Sequence, residues 1–314
     1  VPKDMSSLIE SREIRAGVLR KYGFIPTSVL EPDYSWGRHI IEFDKRKQQA
    51  VAQLKHQKMD YGDKTSFGEK KEGLSKAELD KTFGMSSQNV RGKTGGLSTF
   101  PPALAKFIVE FYSEKGDLIL DPCCGHNSRM QVCYELERNY IGYDVSKEFM
   151  AFNREVKEQI TGKGKQLAMF SPKATITLRE QTSEHLEEKD ESIDMCFTSP
   201  PYFDIEYYGD EPEQLGYNKE YGDFLQGIRS VINECYRVLK IGKYCIFNVN
   251  DFRKEGIFYP YHCEIVKLFQ NVGFHLHDII IVKWASSIGA CFASQIESRK
   301  ITSKAHEFLI VGRK

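Results

Sequence analysis

A chain of 314 residues, 40% hydrophobic and 28% charged, buries a substantial core as one large domain or two small ones. Its 44 basic and 44 acidic residues cancel, which excludes a uniformly basic protein, yet residues 1–97 hold a net excess of about five positive charges. No signal peptide or membrane-length apolar run is visible, and the eight scattered cysteines form no Cys-x-x-Cys or zinc spacing; the expectation is a cytoplasmic protein without membrane contact, disulfides or metal.

From the amino end, residues 6–22 place Leu8, Ile9, Ile14, Val18 and Leu19 on one face of a basic helix. Phe24 to Leu30 reads as an extended turn, Trp36 to Phe43 as a short strand, and residues 44–58 as a second basic helix. Residues 60–97 are rich in Gly, Ser and Lys, poor in large apolar side chains, and read as a long connection. This divides the chain into a basic N-terminal extension, residues 1–97, and a domain, residues 98–314.

Within the domain the pattern alternates. Helices are expected at Pro102 to Tyr112, Asn127 to Leu136, Lys147 to Ile160, Tyr221 to Leu239 and Pro260 to Asn271. Strands are expected at 117–120, 140–143, 175–178, 193–197, 244–249, 279–284 and 306–311. The fold class is therefore α/β, a doubly wound and mostly parallel seven-stranded sheet. No helix separates the last two strands, so they pair as an antiparallel hairpin.

In such sheets ligands sit at the carboxyl ends of the strands. Asp121-Pro122-Cys123-Cys124-Gly125 follows the first strand, where Gly125 lets the backbone approach a ligand and the helix start attracts a carboxylate. The same segment reads equally as an ordinary strand-to-helix turn. Asp144 ends the second strand, where an acid either grips ribose hydroxyls or caps the next helix. One glycine in the first loop, instead of three, counts against a dinucleotide.

Thr198-Ser199-Pro200-Pro201-Tyr202 follows the fourth strand. Its prolines remove two backbone donors, and Tyr202 adds a flat face. The group suits a planar ring bearing an exocyclic amine, and also reads as a proline turn. Loop 203–219 carries Phe203, Tyr207, Tyr208 and Tyr217 with five acids, and fits a site closure better than a phosphate track. Segment 286–304, with Arg299, Lys300 and Lys304, fits either phosphate contacts or a solvated loop. His126 and His262 read as structural.

The ordered set Ser98-Thr99-Phe100-Pro101, Asp121-Pro122-Cys123-Cys124-Gly125, Tyr143-Asp144 and Ser199-Pro200-Pro201-Tyr202 resembles the DNA amino-methyltransferases over residues 98–314. Tyr236 to Lys243 and His306 to Val311 also look like that family, and residues 20–30 look like the leader of its phage-type members. Cys123 and Asn127 depart from the family's usual Asp-Pro-Phe-x-Gly-x-Gly loop. The resemblance implies a Rossmann-like methyltransferase fold using S-adenosylmethionine. It places Thr99, Phe100, Asp121, Cys123, Gly125, Asp144 and Thr198 at the cofactor, and Ser199, Pro200, Pro201 and Tyr202 at the target base. The implied partner is DNA, methylated on N4 of cytosine, with N6 of adenine as the alternative. Carbon-5 methylation is rejected, because the fourth-strand loop has Pro-Pro where that chemistry needs Pro-Cys. An RNA or protein amide methyltransferase and a non-catalytic DNA-binding module are the remaining readings. No large recognition domain is present in the sequence given, so DNA contacts are expected from Arg12, Arg15, Lys45, Arg46 and Lys47, and from Arg299 and Lys300.

Overall fold

A computed structural model of the chain describes residues 17–18, 27–32, 36–37, 39–41, 100–166, 174–203, 211–218, 220–284, 300–302 and 304–314. The two basic helices, the 60–97 connection, Thr99, Arg12, Arg15, Lys45, Arg46, Lys47 and Arg299 lie outside the described residues, apart from Gly17 and Val18.

Strands and helices alternate as the patterning predicts. The strands are β1 (Val29–Leu30), β2 (Leu118–Asp121), β3 (Asn139–Asp144), β4 (Ile176–Glu180), β5 (Ile193–Thr198), β6 (Leu239–Val249), β7 (Phe252–Lys254), β8 (Ile257–Tyr259), β9 (His275–Lys283) and β10 (His306–Arg313). The helices are α1 (Pro102–Tyr112), α2 (Ser128–Glu135), α3 (Lys147–Gln166), α4 (Tyr221–Val238) and α5 (Tyr261–Val272). One sheet runs β1-β9-β10-β6-β5-β2-β3-β4. All of its pairs are parallel except those of β10, which is antiparallel to both β6 and β9.

The sheet has eight strands, which corrects the expected seven. Val29 and Leu30, read from sequence as part of an extended turn, pair with Ile281 and Val282. Two residues are too few for a period-2 signal; the edge of β9 recruits them. Among the described residues of the span Trp36 to Phe43, none is in a strand: Trp36, Gly37 and His39 are turn residues, and Ile40 donates to the Gly37 carbonyl at 2.9 Å. Leu30 and Ile40 are buried in the same core as α1.

Strand alternation divides the core into two layers. Ile119, Met195, Phe197 and Ile246 face α1, α2 and α3, packing with Leu104, Ile108, Met130 and Phe149. Their neighbours Leu120, Cys196, Cys245 and Phe247 face α4 and α5, packing with Phe224, Ile228, Val231 and Phe269. On α4 the buried positions 224, 228, 231, 232, 235 and 238 recur at helical spacing, so one stripe meets the sheet. Pro102 opens α1, where a missing N–H costs nothing, and Gly273 at φ 118° ends α5. Cys196, Cys235 and Cys245 bring their sulfurs within 4.8 Å of one another in this core, a grouping sequence spacing did not reveal. Burial pushes the Cys196 and Cys245 thiols up, so they pack as neutral thiols.

The chain runs outward from β2 through β3 to β4, then returns to β5 on the other side of β2. The gap beyond the carboxyl ends of β2 and β5 is the topological switch point, and it positions the site.

Candidate active site

The floor of the site is one buried carboxylate. Asp121, at the end of β2, is 0% exposed. It accepts from Arg129 Nε at 2.6 Å and Nη2 at 3.3 Å, from the Tyr140 hydroxyl at 2.9 Å, and from the Thr198 hydroxyl at 2.7 Å. A charge buried this deeply persists only when paired and fully hydrogen-bonded. Arg129 also donates to the Cys123 carbonyl at 2.7 Å and lies 5.0 Å from the Phe100 ring centroid. Cys123 N–H donates to the Thr198 hydroxyl oxygen at 3.2 Å. Together these bonds clamp the first loop between two strand ends.

The loop continues through Cys124, whose N–H donates to the Tyr143 carbonyl at 2.8 Å, to Gly125. Gly125 has φ 52°, a left-handed conformation, and a Cβ built on it meets no atom within 4 Å. The backbone there borders open space. Gly125 N–H donates to Asp144 Oδ2 at 2.8 Å, and Ser146 N–H to Asp144 Oδ1 at 2.8 Å. Burial pushes the Asp144 carboxyl up to about 6, against the two N–H groups that favour its charge. Asp144 therefore ties the two loops together, while Ser146 caps α3 through Phe149 N–H at 3.4 Å.

Ser199, Pro200, Pro201 and Tyr202 form the opposite wall. The Tyr202 ring meets Phe252 and Tyr261 edge-on, at centroid distances of 6.3 and 6.1 Å. The Tyr261 hydroxyl donates to the Pro201 carbonyl at 3.5 Å. The Ser199 and Pro200 carbonyls accept no hydrogen bond from the described residues. Asn248, at the end of β6, completes this wall; its Nδ2 donates to Glu307 Oε2 at 2.6 Å, and its buried Oδ1 has no partner among the described residues.

Phe100, Cys123, Gly125, Asp144, Ser199, Pro200, Pro201 and Tyr202 line one cleft of about 1000 Å³, its open mouth included. Asp121 and Thr198, expected at the cofactor, are both 0% exposed and lie beneath the cleft, hydrogen-bonded to each other, with Asp121 also paired to Arg129. The Gly125 N–H is taken by Asp144, while its α-carbon side stays open. Lys300 is exposed, with φ 51°. Sequence reasoning missed Arg129, Phe149, Asn248 and Glu307, all of which line the cleft. Arg129 carries no spacing signal, and Asn248 meets Glu307 only because β10 inserts beside β6. Burial and the nearby Asp144 and Asp121 carboxylates push the Cys123 thiol up, so it stays protonated at neutral pH.

The chain matches a family model described as DNA methylase, of N6 and N4 methyltransferases, over residues 36–155 and 193–314. The type II methyltransferase M.MjaI of Methanocaldococcus jannaschii is 31% identical over 72 residues, 23% of this chain and 23% of that protein. The alignment thus spans about a quarter of that relative. Among solved structures, an S-adenosylmethionine-dependent methyltransferase of Methanosarcina mazei is 15% identical, with 69% of this chain and 99% of that one covered and a TM-score of 0.44. A putative DNA modification methylase of Thermus thermophilus, in complex with S-adenosyl-L-methionine, is 25% identical over 41% of this chain and 50% of that one, with a TM-score of 0.31.

Proposed function

Since the chain belongs to the DNA methylase family of N6 and N4 methyltransferases, we propose that it methylates an exocyclic amine of a DNA base, N4 of cytosine, using S-adenosylmethionine. The observation that carries this reading is the shared cleft: the loop at Gly125 and Asp144 and the Ser199-Pro200-Pro201-Tyr202 wall face one space. The donor groups suit the cofactor. Asp144 has lone pairs left for ribose hydroxyls, Gly125 leaves room where a side chain would intrude, and Phe100 and Phe149 offer apolar surface. Asp121 and Thr198 act as positioning residues under the loop.

S-adenosylmethionine supplies a methyl group activated on a sulfonium. The remaining work belongs to this chain's residues. A base in a duplex is out of reach, so it is flipped out at a cost of a few kcal/mol. Tyr202 stacks on the extruded ring. The Ser199 hydroxyl and Pro200 carbonyl accept the amino hydrogens, which turns the nitrogen lone pair away from the ring and toward the cofactor side of the cleft. Holding both reactants in line supplies most of the rate; the carbon–sulfur bond breaks as the carbon–nitrogen bond forms, and the surplus amine proton leaves to water after transfer, so no strongly basic side chain is demanded.

The test is transfer of labelled methyl groups to unmethylated DNA, followed by mass spectrometry of the nucleosides. N4-methylcytidine supports the reading. N6-methyladenosine alone overturns the base assignment and leaves the amine chemistry standing; no methylated nucleoside with intact cofactor binding overturns the activity. The basic extension is proposed as a phosphate-contacting segment through Arg12, Arg15, Lys45, Arg46 and Lys47. Neutralising them should weaken DNA binding at all sequences and flatten its salt dependence, and an unchanged slope removes them from the interface.

A further inference from the structure

The hairpin β7–β8 is a feature the sequence reading did not contain. Glu255 at φ 53° and Gly256 at φ 85° form its two-residue turn, both left-handed, as a tight right-twisted hairpin requires. Phe252 pairs with Tyr259, Arg253 with Phe258, and Lys254 with Ile257. A two-stranded hairpin is marginal alone. This one is anchored by Phe252, which stacks on Tyr259 at 5.0 Å and meets Tyr202 at 6.3 Å. Lys254 Nζ sits 4.6 Å from the Phe203 centroid. The hairpin is therefore built directly onto the residues that follow Pro200 and Pro201.

Its tip is turned to solvent. The turn itself is Glu255-Gly256, and just behind it on β8 Ile257 is 59% and Phe258 43% exposed, consecutive side chains on opposite faces of the hairpin. Two cations flank Phe258: Arg253 lies 4.9 Å and Lys304 Nζ 5.6 Å from its ring centroid. Lys304 is held there by Asn250 Oδ1 at 3.0 Å. Exposed apolar side chains beside the turn, with cations on Phe258 and a pocket for a flat ring next to them, are complementary to a stacked polyanion. Phosphates meet the cations, and the apolar side chains enter between bases.

Resting on the function proposed above, we propose that β7–β8 is a DNA wedge: Ile257 and Phe258 enter the duplex beside the extruded base, while Arg253 and Lys304 hold the flanking phosphates. The finger fills the space that the departing base leaves, and so favours the flipped state. None of the four residues lines the cleft.

Two variants of the full chain test this, Ile257→Ser/Phe258→Ser and Arg253→Ala/Lys304→Ala, with unchanged S-adenosylmethionine affinity and thermal unfolding as evidence of intact structure. The single Ile257→Ser variant stands in if the double tip variant unfolds. Random-sequence DNA is supplied as duplex and as separated strands. The tip variant should lose about tenfold in methyl transfer to duplex and less than about twofold to single strands, which need no wedge. Equal losses on both, or none on duplex, overturn the wedge. The charge variant should lower the slope of log affinity against log salt by about 1.8, two phosphate contacts' worth. An unchanged slope overturns the phosphate contacts. A changed sedimentation coefficient with unchanged DNA binding assigns the tip to a protein interface and also overturns the proposal. If the unsubstituted protein binds DNA but transfers no methyl group, the proposed function fails, whereas the hairpin's contacts are still read from binding.

Discussion

Replacing Asp121 with alanine tests the central claim about how the site is held. The substitution removes the acceptor of Arg129, Tyr140 and Thr198 at once. Its largest consequence is an uncompensated guanidinium, since the Arg129 side chain is only 6% exposed. Breaking one partner of a buried pair costs about 3–5 kcal/mol. The orphaned Tyr140 hydroxyl adds about 1–3 kcal/mol. Thr198 loses less, because its hydroxyl lies 3.4 Å from the Cys123 carbonyl, and Arg129 keeps its bond to that carbonyl. These terms overlap, so the expected loss is about 5 kcal/mol, a large part of the roughly 5–15 kcal/mol that a domain possesses. Denaturant unfolding without cofactor measures it. Asp121→Ala/Arg129→Met should recover at least half of the loss, because it removes the stranded charge while keeping the volume. A loss below about 1 kcal/mol in the single variant, or no recovery in the double one, would refute the argument that this pair holds the loop.

Ser199→Ala and Tyr202→Ala should abolish methyl transfer while leaving cofactor affinity nearly intact, whereas Tyr202→Phe should be mild because stacking needs only the ring; equal loss of cofactor affinity in calorimetry would misplace the motif. Asp144 has a folded pKa of about 6, above its unfolded value near 3.9, so the folded state holds that proton more tightly. Its contribution to stability is therefore most favourable below about pH 4, declines as pH rises to about 6, and is flat above; the difference in unfolding free energy between the parent and Asp144→Ala, followed with pH, reads it. Ribose hydroxyls favour the ionised carboxylate, so cofactor affinity should fall up to about tenfold per pH unit below 6 in the parent and not in the variant. Gly142→Ala would place a Cβ 2.8 Å from Tyr140 Cε1 and 3.1 Å from Cys124 Sγ, behind the first loop. A loss of about 1–3 kcal/mol is expected, and an unchanged melting temperature would show that the strand yields freely.

The five helices and the parallel strands from β2 to β6 were legible because their signals are local. Burial on one face writes helical spacing into α4, and burial on both faces writes the apolar run Met195-Cys196-Phe197 into β5. The placing of Gly125, Asp144 and Ser199 after strand ends followed from that alternation, whereas the switch point came only with the strand order. Tertiary structure decided what depends on partners distant in sequence. Val29 and Leu30 become a strand only because the β9 edge offers hydrogen bonds, and β7–β8 is too short for periodicity and is held by aromatic contacts to Tyr202, Phe203 and Tyr261. Asp121 reads as a ligand at a strand end, yet Arg129, Tyr140 and Thr198 converge on it and turn it into the floor. Asn248 and Glu307 meet because β10 slots antiparallel beside β6. A sequence states which residues seek burial or charge compensation; the fold alone states which partner each of them finds, because a partner's distance along the chain carries no local trace.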